Sequence, residues 1–429
     1  MEQTLKQEAK NQQVSVMAEN LIGSEIIKLA GEVKEKIAQG EKIYNLTIGD
    51  FDPKIFPIPN ELKNEIIQAY NDGQTNYPAA NGVESLRKEV ANFLEEKQGL
   101  TYDANAILIS GGARPLIYAL YQTIIDANDK VLFPVPSWNN NHYCHLSSAQ
   151  QMVVETKPEN DFMPTAAELK PFISEANLIA LCSPLNPTGT TFTKEGLSEI
   201  CELILEENKK RGASEKPLYL LFDQIYWILT HGETKHFDPV SLFPEMRNYT
   251  IYIDGISKSF AATGVRVGWA FGPQKVIDKM RAILSHVGAW SPKAEQEATA
   301  KFLKNDVAVN DYLATFKNRI NKRLVDFYEG IQTLKAKGYD VDAIPPQAAI
   351  YLTVKFDLVG KTGAEGKLLA TTADVTAYLL NEAKLAIVPF YAFGTSTNSP
   401  WYRLSVGTAH SNEIKALFSQ LDAALAKLS

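Results

Sequence analysis

The chain has 429 residues, which is too many for one compact core, so two domains are expected. Hydrophobic residues make up 45% of the chain and charged residues 22%, as is typical of soluble globular proteins. The formal net charge of −7 argues against a nucleic-acid or membrane partner, and no stretch approaches the ~20 apolar residues that span a bilayer.

The cysteines are few and widely spaced. Cys144, Cys182 and Cys201 follow no metal-ligand or CxxC spacing, so we expect reduced thiols and no metal site. The N-terminal MEQTLKQEAKNQQ is polar and lacks the apolar core of a secretory signal. Together these features predict a cytoplasmic location.

The first two thirds of the chain alternate between strand-like and helix-like patterns. After a polar lead over residues 1–20, Ser24 is the predicted N-cap of a helix that ends near Gly40. Short runs that are apolar throughout then predict strands buried on both faces: they cover 106–110, 130–135, 177–183, 218–223 and 250–255. Helical patterns lie between them at 115–125, 194–209 and 273–284. This alternation predicts βαβ units and a mostly parallel sheet with helices on both sides.

The last third of the chain has a different, α+β pattern. Residues 311–337 predict one long helix with an apolar face, and a terminal helix is predicted from Ser411. Between them, strand-like segments at 348–356, 385–390 and 401–406 enclose a helical stretch at 373–383. We therefore predict an α/β fold with a large domain over 51–310 and a smaller α+β domain formed by 1–50 and 311–429.

Residues suited to chemistry follow several of the predicted strands, at the edge where open α/β sheets bind ligands. The first strand runs into Gly111-Gly112-Ala113-Arg114-Pro115 and a helix, whose free N–H groups suit a phosphate. Alone this signal is weak, because glycine turns before helices are common. The strand at 177–183 continues into PLNPTG, which by itself is simply a good turn.

Two charged residues close the next strands. Asp223 ends the apolar run LYLLFD, where a carboxylate is costly without a cationic or metal partner. Lys258 follows the strand at 250–255, and a lysine at the end of a buried strand is a candidate Schiff-base amine. A lone lysine in a loop would otherwise be only a solvated charge.

The set of motifs resembles the class I and II aminotransferases of the fold-type-I pyridoxal-phosphate (PLP) superfamily, which are aspartate aminotransferase-like. The run SKSFAATGVRVGW is similar to the family's lysine motif, and LTIGDFDP, TNYPAANGVESLRK and WYRLSVG are similar to three further segments. The resemblance covers most of the chain in the family's order. It implies a PLP cofactor and an amino-group transfer between an L-amino acid and a 2-oxo acid.

The resemblance also implies roles for individual residues. Catalysis is assigned to Lys258, Asp223 and Tyr226: the lysine forms the Schiff base, the carboxylate pairs with the pyridinium nitrogen, and the hydroxyl bonds the phenolic oxygen. The remaining cofactor-binding residues are Gly112, Ala113, Arg114, Trp138, Asn186, Ser257, Arg266 and Tyr77. Of these, Ser257 and Arg266 hold the phosphate together with the N–H groups of Gly112 and Ala113, and Trp138 stacks on the ring.

Substrate binding and assembly follow from the same resemblance. Arg403 binds the α-carboxylate as a bidentate fork, a task that suits a guanidinium, with Gly49 and Asn186 beside it. Tyr77 matches the tyrosine that reaches the neighbouring subunit's phosphate, which implies a homodimer with shared active sites. Lys258 then acts as the base at the substrate α-carbon, and the two half-reactions follow a ping-pong scheme.

Alternatives remain open at this point. A PLP lyase or cyclase needs the same lysine, aspartate and phosphate site, and a non-catalytic binding protein could retain the scaffold. The segment after Trp138, Asn139-Asn140-Asn141-His142, and the sequence PPQAAIY depart from the family pattern near the substrate side chain. An aspartate-like donor needs a second cation, for which Arg114 is the candidate. An aromatic donor would suit the ring-bearing residues, which are Tyr351, Phe390, Tyr391 and Trp138.

Overall fold

The computed structural model describes residues 14–21, 23, 25–363 and 366–429, with the backbone alone for 25–27. The predicted cap Ser24 and residues 1–13 of the polar lead lie outside these ranges. Within them, the helix predicted to end near Gly40 extends over Glu25–Ala38. No helix in the described part of the chain is both long and apolar enough to cross a membrane.

Thirteen strands occur in the described ranges. They are β1 (Tyr44–Asn45), β2 (Ile107–Ser110), β3 (Lys130–Val135), β4 (Gln150–Glu155), β5 (Leu178–Cys182), β6 (Tyr219–Asp223), β7 (Thr250–Gly255), β8 (Gly268–Phe271), β9 (Val341–Ala343), β10 (Tyr351–Phe356), β11 (Leu385–Ala386), β12 (Val388–Pro389) and β13 (Trp401–Ser405).

The α-helices of the same ranges are α1 (Val16–Glu19), α2 (Glu25–Ala38), α3 (Asn60–Asn71), α4 (Glu84–Gln98), α5 (Ala113–Ile124), α6 (Asn140–Ser147), α7 (Ala166–Leu169), α8 (Lys194–Arg211), α9 (Pro239–Leu242), α10 (Ile256–Ser259), α11 (Gln274–Val287), α12 (Lys293–Leu303), α13 (Asp306–Ala336), α14 (Thr372–Asn381) and α15 (Ile414–Leu425). Short 3₁₀ turns connect several of them.

The central layer is a seven-stranded sheet in the order β2-β8-β7-β6-β5-β3-β4. Strand β8 is antiparallel to both of its neighbours, and all other pairs are parallel. The carboxyl ends of β2, β3, β4, β5, β6 and β7 therefore meet at one edge. The predicted α/β fold with a mostly parallel sheet is confirmed.

The sheet is buried on both faces, as its continuous apolar runs predict. In β5, Ile179 and Leu181 join a core shared with α4, α8 and α12, whereas Leu178 and Ala180 face a second core with α5 and α11. Because successive side chains of a strand alternate between faces, a run without polar residues supplies both cores. Packing of helices on both faces thus fixes the position and direction of each strand end.

The N-terminal and C-terminal parts of the chain form a second group of packed helices and strands. The helix predicted over 311–337 is confirmed as α13, which begins five residues earlier and buries its apolar face. It packs on the antiparallel sheet β12-β13-β10-β9, while β1 pairs with β11 from far along the chain. This arrangement agrees with a small domain built from both ends, and the boundaries at 51 and 311 stay predictions.

Arg211 secures the approach to β5 from the end of α8. Its guanidinium is buried, pairs with Glu207 at 2.9 Å, and donates to the carbonyls of Ile173, Ala176 and Lys216. The carbonyl of Ser174 accepts a further bond at 3.3 Å, so this buried cation has five partners and ties the helix to the loops on both sides of it.

We expect Arg211→Met to lower the free energy of unfolding by about 3 kcal/mol, because it leaves the buried Glu207 carboxylate without its partner. Urea unfolding followed by circular dichroism measures this. The neighbouring exposed residue gives the control, since Lys210→Met should change stability by less than about 0.5 kcal/mol. Equal stabilities of the two variants would contradict the argument.

Candidate active site

Functional side chains meet at the carboxyl edge of the large sheet, where it faces the small one. The carboxyl ends of β2, β5, β6 and β7, with the segments that follow them, contribute Gly112, Asn186, Asp223 and Lys258 in that order. From the four-stranded sheet, β13 brings Arg403 to the same place. Residues that are more than two hundred positions apart thus come into contact because the strand ends converge.

The turn between β2 and α5 forms a cradle of backbone donors. Gly112 has a φ of 97°, and a Cβ there would collide with the guanidinium of Arg266. Arg266 is exposed and donates to the carbonyls of Gly111 and Thr263, both at 2.6 Å. No side chain caps α5, so the N–H groups of its first turn and the Arg266 cation face the same space. Such a place suits a phosphate.

Lys258 lies in the short helix α10 and is largely buried. Its Nζ donates to the carbonyl oxygen of Gly49 at 2.6 Å. Burial lowers the pKa of this amine from 10.5 to about 8; Asp50 opposes the change, and Arg403, Arg114 and Arg266 add to it. A fraction of the amine is therefore uncharged at neutral pH, as a nucleophilic lysine requires.

Asp223 ends β6 with its carboxylate in the low-dielectric interior. Burial raises its pKa to about 6, against the opposing effects of the Ile225 N–H, which it accepts at 3.0 Å, and of Lys258. It is therefore ionised at neutral pH. Within the described ranges no cation approaches it to ion-pair distance, so the charged partner predicted for this carboxylate is not supplied by those residues.

Arg403 is a buried cation with neutral partners. Its side chain donates to Oδ1 of Asn186 at 3.0 Å and to the carbonyl of Thr47 at 2.6 Å. The guanidinium lies over the rings of Tyr351 and Phe393, at 4.8 and 4.9 Å. Its Nε is buried without an acceptor among the described residues, and none of their carboxylates pairs with it. Burial accordingly lowers its pKa, and an added carboxylate would be strongly favoured here.

The segment that carries Gly49 is held tightly against this arginine. The Ser405 N–H donates to Leu46, and the Asp52 N–H donates to Gly407. A Cβ on Gly49 would lie 2.8 Å from the Tyr351 hydroxyl and 3.4 Å from Nη1 of Arg403. Glycine suits position 49 because the Tyr351 hydroxyl already occupies the space that a Cβ would need.

Tyr226 completes the group around Lys258. Its hydroxyl lies 2.7 Å from that of Tyr351, and its ring centre is 5.9 Å from Nζ of Lys258. Burial raises the pKa of Tyr226 well above its usual range, so it is a neutral hydrogen-bond donor or acceptor. Ser257, which precedes the lysine, is buried.

Two further predicted residues flank the group. The Arg114 guanidinium, on the first turn of α5, lies 5.4 Å from the ring of Trp138. Trp138 in turn contacts Phe393, the ring beneath Arg403, with centroids 6.3 Å apart. Ala113 opens the helix that carries Arg114.

Tyr77 stands apart from the others in this single chain. Its side chain is 82% exposed, and its ring packs edge-on against that of Trp290 with the ring centroids 5.3 Å apart. The tyrosine is thus available to another molecule, and the structure does not bring it to Lys258 through a contact of its own chain.

Sequence reasoning did not assign site roles to Asp50, Thr47 or Phe393, and treated Tyr351 only as a pocket wall. The aspartate influences Lys258 through charge, and Thr47 contributes a backbone carbonyl, which no side-chain motif reveals. The position of Asp50 next to Gly49 was the one available signal. Phe393 follows a strand that has only two residues, so no periodicity pointed to it.

Comparison with known proteins identifies the class. A family model described as aminotransferase class I and II matches residues 41–421. The fold, the lysine at the sheet edge and this match define the protein as an aminotransferase. The chain belongs to the class I and II aminotransferase family, as its motifs predict.

Relatives and solved structures agree. The aspartate aminotransferase of Geobacillus stearothermophilus is 29% identical over 393 residues, which are 91% of this chain and 93% of the relative. That of Rhizobium meliloti strain 1021 is 26% identical over 95% of this chain and 94% of its own length. The crystal structure of the Rhizobium meliloti enzyme superposes with a TM-score of 0.87 at 25% identity, covering 98% of this chain and all of the other.

The shifted amine of Lys258 can be tested without any ligand. We expect its reductive methylation to rise through a midpoint near pH 8, well below the 10.5 of an ordinary lysine. Peptide mass spectrometry after brief labelling across a pH series measures the midpoint. Asp50→Asn should move it downward, because the carboxylate stabilises the cation. A midpoint above pH 10 would contradict the buried environment.

Proposed function

We propose that this aminotransferase holds PLP on Lys258 and exchanges an amino group between an L-amino acid and a 2-oxo acid in a ping-pong reaction. The observation that carries the proposal is the adjacency of amine and carboxylate sites: Lys258 donates to the carbonyl of Gly49, and a Cβ on Gly49 would lie 3.4 Å from Nη1 of Arg403. An amino acid bound by its carboxylate at Arg403 would have its α-carbon near the lysine.

The residues present fit the cofactor. The cradle at Gly112, the first turn of α5 and Arg266 suit its phosphate, and the ionised, unpaired Asp223 suits a protonated ring nitrogen. When bound, PLP supplies the electron sink that makes the α-proton of an amino acid removable. We propose that Trp138 covers the ring and that Ser257 adds a hydroxyl to the phosphate site.

The chain's own residues would divide the work as follows. Arg403 would bind the α-carboxylate through two parallel hydrogen bonds. The charge of that carboxylate would offset the cost of burying the guanidinium. Lys258, whose pKa lies near neutrality, would take up the proton from the substrate α-carbon. Asp223 would hold a protonated ring nitrogen by its charge. Tyr226 and Asn186 bond the phenolic oxygen, and Asn186 also orients Arg403.

The donor's side chain would lie toward Arg114 and Trp138. Curated relatives are named aspartate aminotransferases, and Arg114 is an exposed cation that could bind a second carboxylate. We therefore propose aspartate as the first donor to test and an aromatic amino acid as its competitor, because the Trp138 and Phe393 rings would also receive an aromatic side chain.

The test is an absorption spectrum of the protein with added PLP, followed by L-amino acids one at a time. We expect a near-visible band that Lys258→Ala lacks, that a productive donor abolishes, and that a 2-oxo acid restores. The protein with no amino acid is the reference at each step. A missing band would overturn the cofactor assignment. A band that no amino acid changes would instead favour a lyase or cyclase.

We also propose a homodimer in which Tyr77 reaches the partner's phosphate site. The support is its 82% exposed side chain, with the exposed Ile67 and Tyr70 on nearby α3. A cytoplasmic location is proposed on the basis of three free thiols, because such thiols persist in a reducing compartment.

We expect Tyr77→Phe to weaken PLP binding roughly 10-fold, the loss of one hydrogen bond to a charged group, while the protein stays dimeric. Cofactor titration and sedimentation measure the two quantities. Tyr70→Phe is the matched control, because that hydroxyl bonds Glu295 of its own chain. An unchanged cofactor affinity for Tyr77→Phe would count against a shared site.

A further inference from the structure

Tyr351 occupies the centre of the site without a role in the assignments above. Its side chain is 1% exposed, and its hydroxyl lies 2.7 Å from that of Tyr226 with the two rings edge to face. On the other side, a Cβ on Gly49 would lie 2.8 Å from the same hydroxyl, and the Tyr351 ring lies under Arg403. Three other segments of the chain therefore converge on one phenol.

A pair of hydroxyls can share only one proton between them. If Tyr226 donates to Tyr351, it has no proton left for a ligand; if Tyr351 donates, the Tyr226 proton is free to point elsewhere. The oxygen that Tyr226 is proposed to meet, the phenolic oxygen of the cofactor, is an acceptor. The useful direction is thus from Tyr351 to Tyr226.

The charge next to Tyr351 favours that direction. Burial raises the pKa of the Tyr351 hydroxyl, and the Arg403 cation on its ring opposes the rise. A hydroxyl made more acidic by a nearby cation is the better donor. Arg403 also lowers the pKa of Tyr226, and Lys258 lies 5.9 Å from its ring, but burial and the neighbouring Tyr351 hydroxyl keep that pKa well above its usual range. Among the described residues, the guanidinium in ring contact with the pair lies over Tyr351.

We propose that Tyr351 is a positioning residue that donates its proton to Tyr226 and thereby aims the Tyr226 proton at the phenolic oxygen of the cofactor. A hydroxyl that accepts one hydrogen bond donates a stronger one, so Tyr351 also strengthens the bond it directs. Because Arg403 lies on the same ring, the carboxylate site and the cofactor's phenolic oxygen are linked through two phenols. The inference rests on the proposed PLP function.

The test uses the pH midpoint of the absorption band of the PLP-loaded enzyme, which reports the proton held between the Lys258 nitrogen and the phenolic oxygen. A weaker donor at Tyr226 leaves that oxygen more basic, so the midpoint rises. We expect Tyr351→Phe to raise it by roughly 0.5 unit and Tyr226→Phe by about 1 unit or more.

The double variant tests whether Tyr351 acts through Tyr226. In Tyr226→Phe enzyme, the added Tyr351→Phe change should leave the midpoint where it is. Tyr402→Phe controls for the loss of a buried hydroxyl on the same sheet, since its hydroxyl bonds Thr372 instead; it should not move the midpoint. Melting temperatures of all variants separate misfolding from a local effect.

The outcomes are distinct. A fall of the midpoint in Tyr351→Phe would mean that Tyr226 donates to Tyr351, and an unchanged midpoint would mean that the pair has no influence on the cofactor; either result overturns the inference. Absence of any band in the unmodified enzyme would instead overturn the proposed PLP function.

Discussion

The structure around the site depends on one constraint, which is that a guanidinium is buried with no carboxylate to balance it among the described residues. Arg403 is 2% exposed, and its partners are an amide oxygen, a backbone carbonyl and two ring faces. Each neutral contact lowers the cost of burial, and none removes it. The segment at Leu46 to Asp52, the turn at Asn186 and the strand β10 are therefore gathered around a cation that still gains from an anion. The carboxylate of the proposed amino acid substrate would supply that anion.

The electrostatics of the neighbouring groups follow from the same convergence. Burial opposes the charged form of Lys258 most strongly, Asp50 favours it and three arginines oppose it, so the amine pKa comes to lie near 8. Asp223 remains ionised because Lys258 and a backbone N–H partly offset its burial. An amine with a pKa near neutrality suits proton transfer at an α-carbon, and an ionised carboxylate suits a protonated ring nitrogen. The two groups reach that state through the parallel arrangement of β6 and β7, and no ion pair between them is required.

Sequence patterns predicted the elements that are apolar throughout and missed those that are not. The bounds of β3 and β7 match the predicted runs, whereas β4 has an exposed edge with the sequence QQMVVE and gave no signal. Strand β8 was not predicted, because its first residues belong to the lysine motif. Its antiparallel direction could not be predicted either, because hydrophobic periodicity carries no information on strand direction. Among site residues, the motif positions at 112, 186, 223, 258 and 403 do gather at one edge. The Tyr226–Tyr351 bond could not be predicted, because it joins residues 125 positions apart and depends on the tertiary packing of β10 against the large sheet.

Close packing is what links substrate recognition to the cofactor position. Gly49 and Gly407 have ordinary backbone angles, yet a Cβ on either would collide with a neighbouring segment. The site is thus closely packed at both glycines, and a shift of Arg403 would be transmitted to Tyr351, over whose ring it lies. Since the Tyr351 hydroxyl in turn contacts Tyr226, movement or neutralisation of the arginine changes a donor on the cofactor side. On the proposed assignments, the residue that recognises the carboxylate would also influence the chemistry of the ring, because the two functions would share a buried phenol.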